Sequence, residues 1–369
     1  MIKYLGSKRR IVPVLGEIAS SIGARTAVDL FTGTTRVAQE FKRRGITVTA
    51  ADLASYSQVL SDCYIATDAD GTDSDELDSA LRRLNELPGE PGYFTRTFCQ
   101  DARYFQPKNG ARIDAVRNAI EAEYRDSPLF PILLVSLMLA ADRVDSTTGL
   151  QMAYLKDWAP RSYNDLELRR PGLLPGSGDT IGGDAMTIID QLDATELMYL
   201  DPPYNQHRYF TNYHIWETLI RWDSPEHYGI ARKRVDSRDP STRSVFNSKR
   251  DMPGALAKLF GRAKADVLVV SYNDESWITA EQMMRSLHEA GYSDVRMLAF
   301  DSRRYIGAQI GIFSPSGEKT GEVSHLRNTE YLFVAGPSDR VDAAAHAAQG
   351  VGVDQRAAHS GQTPNTSRT

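Results

Sequence analysis

Ala27-Val28-Asp29-Leu30-Phe31-Thr32-Gly33-Thr34-Thr35 is the stretch whose reading decides the fold. Its first half is a short apolar run with the character of a buried strand, and its second half is a turn of small residues. Arg36–Arg44 then has helical spacing, and Gly45 stands where a helix C-terminal cap belongs. Ile46–Ala51 reads as a second strand with Asp52 at its tip. Strand, turn, helix, strand and terminal acid in this order form a βαβ unit of a nucleotide-binding sheet. The small turn lets backbone approach a ligand closely, and a carboxylate at the next strand tip can hold two ribose hydroxyls. Loop capping is the alternative role for Asp29 and Asp52 taken singly. Thr35 occupies a position where a dinucleotide-binding turn carries glycine, and no Walker-type lysine follows, which argues against a triphosphate ligand.

Further along, Leu197-Met198-Tyr199-Leu200 runs into Asp201-Pro202-Pro203-Tyr204. The apolar run reads as a strand, and ligands of open α/β sheets bind beyond the carboxyl ends of strands. Two prolines fix the backbone and remove two N–H donors, so nearby carbonyls are left as acceptors. An acceptor-rich turn with a carboxylate and a flat ring suits an amino group on a planar heterocycle. Gly183-Asp184 lies shortly before it; Asp184 can cap a helix from Ala185, contact a ligand, or do both. At the start, Tyr4-Leu5-Gly6-Ser7-Lys8 places an aromatic, a flexible turn and a lysine just ahead of a helix, a pattern able to wrap a ligand or simply to fray.

Composition sets limits around these segments. The 369 residues suffice for one large domain or two modest ones. A formal charge of -5 is no global signature of nucleic-acid binding, so such binding must come from local basic patches. Cys63 and Cys99 cannot build a disulfide framework, and with no signal peptide the expected location is the cytoplasm. Cys/His spacing offers no metal site. Leu129–Ala141 is too short to span a membrane and reads as a buried helix.

The expected architecture is an α/β, Rossmann-like sheet formed by residues 1–67 and 179–336. Residues 68–178 read as an inserted, mostly helical region with a long irregular end. Val295–Phe300 and Thr329–Val334 read as late strands at an antiparallel edge. The tail, 337–369, is rich in small and polar residues and is expected to be disordered.

Two regions are candidates for phosphate contact. Arg232–Arg250 carries seven Lys/Arg against two Asp, including Arg232, Lys233, Arg234 and Lys249. Arg143–Arg170 contributes Lys156 and Arg161. Each region reads alternatively as a solvated loop or an irregular connection.

Together, Tyr4–Lys8, Asp29–Gly33, Asp52, Gly183-Asp184 and Asp201–Tyr204 resemble the DNA adenine methyltransferases whose cofactor loop precedes the catalytic Asp-Pro-Pro-Tyr turn. Order and separations match over roughly residues 1–335, and the catalytic turn is the most specific element. Thr35 departs from the family's Phe-x-Gly-x-Gly loop. The resemblance implies S-adenosylmethionine as methyl donor, held by Tyr4, Lys8, Asp29, Phe31, Gly33, Asp52, Asp184 and Asp201. It implies catalysis by Asp201, Pro202, Pro203 and Tyr204, target recognition by the inserted region, double-stranded DNA as substrate, and no metal. A separately encoded restriction endonuclease is an expected partner. An RNA adenine methyltransferase and a non-catalytic DNA-binding relative are the alternatives.

Overall fold

The computed structural model describes residues 2–351 apart from 5–7, 205, 207, 274–275, 304–311, 314–318 and 322–326. Its centre is a seven-stranded sheet. The strands are β1 (Thr26–Asp29), β2 (Thr47–Asp52), β3 (Asp179–Gly182), β4 (Thr195–Leu200), β5 (Ala265–Asn273), β6 (Asp294–Arg303) and β7 (Arg327–Gly336). Their order across the sheet is β3-β2-β1-β4-β5-β7-β6. The first five are mutually parallel, and β7 runs antiparallel to both neighbours. β7 and β6 thus form the expected antiparallel pair at the edge of the sheet, with β6 outermost and β7 one position inside it. Pairing on both sides explains why Leu332, Phe333, Val334 and Ala335 form an unbroken buried run.

Alternation along β4 shows how the sheet is covered on both faces. Leu197 and Tyr199 join one apolar core, while Met198 and Leu200 join the other. The first face is covered by α1 (Val12–Ser21), α2 (Arg36–Arg43) and α3 (Ser55–Ser61). Helices α4 (Ser74–Glu86), α5 (Pro107–Tyr124) and α6 (Phe130–Arg143), between β2 and β3 in the chain, feed the same core through Leu81, Val116 and Leu134, as does α8 (His214–Arg221) through Trp216. The second face carries α7 (Ala185–Gln191), α9 (Met252–Arg262) and α10 (Ala280–Glu289). No helix of the described residues is long and apolar enough to cross a membrane.

The chain past Pro337 differs from the disorder expected of it. Ser338–Gly350 forms α11, packed on α1, with Val341, Ala344, Ala345 and Ala348 buried. The spacing is helical, but the stripe is mostly alanine. Small side chains let two helices approach closely, so the segment is ordered without the bulky aliphatics that usually mark a buried face. Residues 352–369 of the expected tail lie outside the described residues.

Candidate active site

Because β1 to β4 run parallel, their carboxyl ends lie on one edge of the sheet. Asp29 closes β1, Asp52 closes β2, Gly183-Asp184 follows β3 and Asp201 follows β4. All eight residues assigned to the donor by resemblance, Tyr4, Lys8, Asp29, Phe31, Gly33, Asp52, Asp184 and Asp201, line one cleft there, as does Pro203. The cleft holds about 1070 Å³ of space not filled by atoms, open to solvent.

The loop after β1 is held by its own acids. Thr32 Oγ1 and the Ala38 N–H donate to Asp29 Oδ2, at 3.0 and 3.2 Å. The Gly33 N–H donates to Asp52 Oδ2 at 2.8 Å, and Ala54 N–H donates to Asp52 Oδ1 at 2.9 Å. Gly33 has φ 52°, and a Cβ there would come within 3.3 Å of the Tyr4 hydroxyl. Glycine is thus required both by conformation and by the ring across from it. Thr35 adopts φ 61°, the left-handed region where the family's glycine would sit without strain. A β-branched residue pays roughly 1–2 kcal/mol there. The turn retains it through the Thr35 N–H to Thr32 carbonyl bond of 2.7 Å and the Gln39 amide donating to Thr35 Oγ1 at 2.7 Å.

Burial works against the charges of these acids. It pushes the Asp29 carboxyl up to about 7, against the hydrogen bond from Thr32. It also raises Asp52, with the Ala54 and Gly33 N–H groups pulling the other way. Asp29 Oδ1 is buried with no hydrogen-bond partner among the described residues. Asp184 caps α7 through Met186 N–H at 2.9 Å and lines the cleft as well, so the cap and the cleft position coexist.

Aromatic walls complete the cleft. Tyr4 stacks on Tyr213 and Tyr209, with centroids 4.7 and 5.4 Å away, and its hydroxyl lies 3.3 Å from that of Tyr56. Phe31 meets Phe246 edge to face at 5.3 Å. Phe246 belongs to the basic stretch 232–250, and Thr242, Ser244 and Asn247 line the cleft with it. Sequence reasoning missed this part of the site. The available signal was Val245-Phe246, the lone apolar pair late in a polar segment.

At the far side stands the acidic corner. Lys8, 6% exposed, places Nζ 3.1 Å from Asp201 Oδ1 and 3.6 Å from Glu330 Oε1. Its ammonium also lies 5.6 Å from the centre of the Tyr204 ring, whose edge meets Tyr272 at 5.5 Å. Burial alone would lower the Lys8 ammonium, but Asp201 and its neighbours hold it well above its usual value. Lys8 is therefore engaged with protein carboxylates. Ser271 Oγ donates to Asp201 Oδ1 at 2.6 Å.

The six residues assigned to DNA fare unequally. Arg234 is 2% exposed and its guanidinium is taken up by Asp223 at 2.6 Å and Asp236 at 2.7 Å. It braces the fold, and the expectation of a phosphate contact is corrected. Arg161 bonds Asp145 Oδ1 and the Thr147 carbonyl, Arg232 leans on Asp101, and Lys233 lies over the Tyr228 ring. Lys156 and Lys249 are exposed, and no ion pair holds either among the described residues.

Comparison with known proteins agrees with this geometry. The Type II methyltransferase M.NlaIII of Neisseria lactamica is 28% identical over 351 residues, spanning 90% of this chain and 98% of the relative. M.CviAII of Paramecium bursaria Chlorella virus 1 is 27% identical, over 80% of this chain and 90% of the relative. Modification methylase StsI of Streptococcus sanguinis is 28% identical over 82% of this chain, but the match spans only 49% of StsI. The chain thus spans about half the length of some relatives and nearly all of others. The profile of the D12 class N6 adenine-specific DNA methyltransferases matches residues 4–285, from the Tyr4 platform through the acidic corner and past Ser271. With that match over most of its length, the chain belongs to the D12 class N6 adenine-specific DNA methyltransferase family.

Proposed function

We propose that the cleft binds S-adenosylmethionine and that the acidic corner prepares the exocyclic amine of an adenine extruded from double-stranded DNA. The residues fit such a donor. Asp29 Oδ1, buried without a partner among the described residues, suits an ammonium group, and Asp52 suits the ribose hydroxyls. The Phe31 and Phe246 rings suit a purine, with Asp184 near its edge. When bound, the donor supplies a methyl group already activated by its sulfonium.

The protein's own work is at the amine. That nitrogen is a poor nucleophile because its lone pair is delocalised into the ring. Hydrogen bonds from it to Asp201 and the Pro202 carbonyl favour a more tetrahedral nitrogen with the lone pair freed. Lys8 Nζ, 3.1 Å from Asp201 Oδ1, sets a positive charge beside that carboxylate. Tyr204 stacks on the base and fixes its plane, and Pro203 stiffens the turn. The target atom is inaccessible within a duplex, so the base must be flipped out first. The Tyr4–Tyr213–Tyr209 stack forms an adjoining wall of the cleft.

The inserted stretch 68–178 is assigned to target recognition, with Lys156 and Lys249 as phosphate contacts. The named relatives are two Type II methyltransferases and one modification methylase, and we assign a restriction–modification setting here: cytoplasmic, protecting sites against a separately encoded restriction endonuclease. The observation that carries the reading is the placement of Asp201 on the wall of the cleft that gathers the donor-side residues.

The test is transfer of label from S-adenosylmethionine to duplex DNA, followed by nucleoside analysis. N6-methyladenine is expected, and Asp201→Asn should lower transfer about a thousandfold while DNA still binds. Label on cytosine, label on RNA alone, or full activity in Asp201→Asn overturns the reading.

A further inference from the structure

We infer that Ser271 is a positioning residue for methyl transfer, fixing which oxygen of Asp201 meets the adenine amine; this rests on the catalytic reading of Asp201 above. Ser271 is on β5, one residue beyond Val270, which pairs with Leu200 at the end of β4. That register sets its side chain level with the first residue of the catalytic turn. It is 1% exposed, and its hydroxyl donates to Asp201 Oδ1 at 2.6 Å. Lys8 Nζ approaches the same oxygen at 3.1 Å. Both contacts meet Oδ1.

A free carboxylate rotates about its Cβ–Cγ bond and offers either oxygen. Here two donors on one oxygen stop that rotation. Lys8 reaches Oδ1 from the N-terminal segment and is itself held by Glu330 on β7. Ser271 reaches it from the sheet floor. The charge of Lys8 could be satisfied by many carboxylate orientations, because an ammonium on a flexible stem has little directional demand. The serine hydroxyl, on a short side chain in a buried strand, has one. Ser271 thus supplies direction and Lys8 supplies charge. The amine is left to Oδ2, with its plane fixed before the base arrives. Preorganisation of this kind acts on the chemical step and not on ground-state affinity.

The experiment measures single-turnover transfer in Ser271→Ala with saturating DNA and donor. A hydrogen bond to a charged group accounts for about a 10–100-fold loss of rate. Donor and DNA dissociation constants should stay within about threefold. Ser271→Thr keeps the hydroxyl and should recover most of the rate. If Ser271→Ala does not fold, Ser271→Cys, with similar volume and a weak donor, replaces it and should be slow. Undiminished transfer without the hydroxyl overturns the inference. So does a rate loss matched by an equal loss of donor or DNA affinity. Asp201→Asn measured beside it separates the two claims: activity there removes the catalytic reading itself, whereas an inactive Asp201→Asn beside a fully active Ser271→Ala removes only the role of Ser271.

Discussion

The acids at the carboxyl edge of the sheet and the basic stretch 232–250 are both strongly charged, and they use their charge in opposite ways. The acids are held chiefly by backbone N–H groups, hydroxyls and one lysine, and they face a shared cleft. The basic stretch mostly satisfies itself. Arg234 is closed by Asp223 and Asp236, Arg238 lies 3.7 Å from the centre of the Tyr228 ring, and Arg250 pairs with Asp251. A charge with its opposite close in sequence is absorbed into the fold. A charge whose surroundings are dipoles keeps its capacity for a ligand. Net charge along a segment is therefore a poor guide to which residues contact substrate.

Experiments can break or sharpen this contrast. The largest effect belongs to the acidic corner, through Asp201→Asn as described. Next comes Arg234→Ala, which leaves two acids without their partner. Removing one side of a buried ion pair costs several kcal/mol, but Asp223 and Asp236 are 41% and 29% exposed, so about 2 kcal/mol is expected. Urea unfolding would register this, and an unchanged midpoint would contradict the bracing role.

Asp52→Ala should weaken donor binding roughly 10–30-fold with little effect on DNA affinity, since its loss removes hydrogen bonds to the ribose. Calorimetric titration with the donor decides it, and unaltered affinity would exclude that contact.

Asp29 gives a smaller effect, visible in its pH dependence. Burial raises its carboxyl to about 7, so it is neutral below that pH and anionic above it. A cationic donor favours the anion. Affinity should therefore climb as pH rises through 7, by at most about tenfold per unit on the acid side. Asp29→Asn should flatten the profile, and a slope that survives in this variant would place the titration elsewhere.

Lys249→Ala should have the smallest effect. Folding stability should change by less than about 0.5 kcal/mol. DNA affinity should drop a few-fold, with the salt slope reduced by about 1. An unaltered salt slope would leave Lys249 a bystander and require another source for the phosphate contacts.

Much of the sheet was legible before any coordinates. β1, β2 and β4 fall within a residue or two of their expected limits, because each is a short apolar run stopped by a turn. The placement of β7 between β5 and β6 was not legible, since strand order depends on pairing between segments far apart in sequence. Helix α11 was missed because its buried stripe is alanine. Phe246 was obscured by the charges around it. Ser271 was one hydroxyl in an apolar strand, with nothing local to mark it.

The sequence by itself determined that acids would gather beyond one edge of a parallel sheet, because strand periodicity, a small-residue turn and a Pro-Pro corner are local properties of the backbone. Only the tertiary structure decided which charges stay available there. Lys8 and Glu330 come from opposite ends of the chain, and Asp201 and Ser271 come from neighbouring strands. Whether an ionic group is paired depends on what folding brings within about 3–4 Å of it, and that distance is set by packing, not by neighbours in the chain.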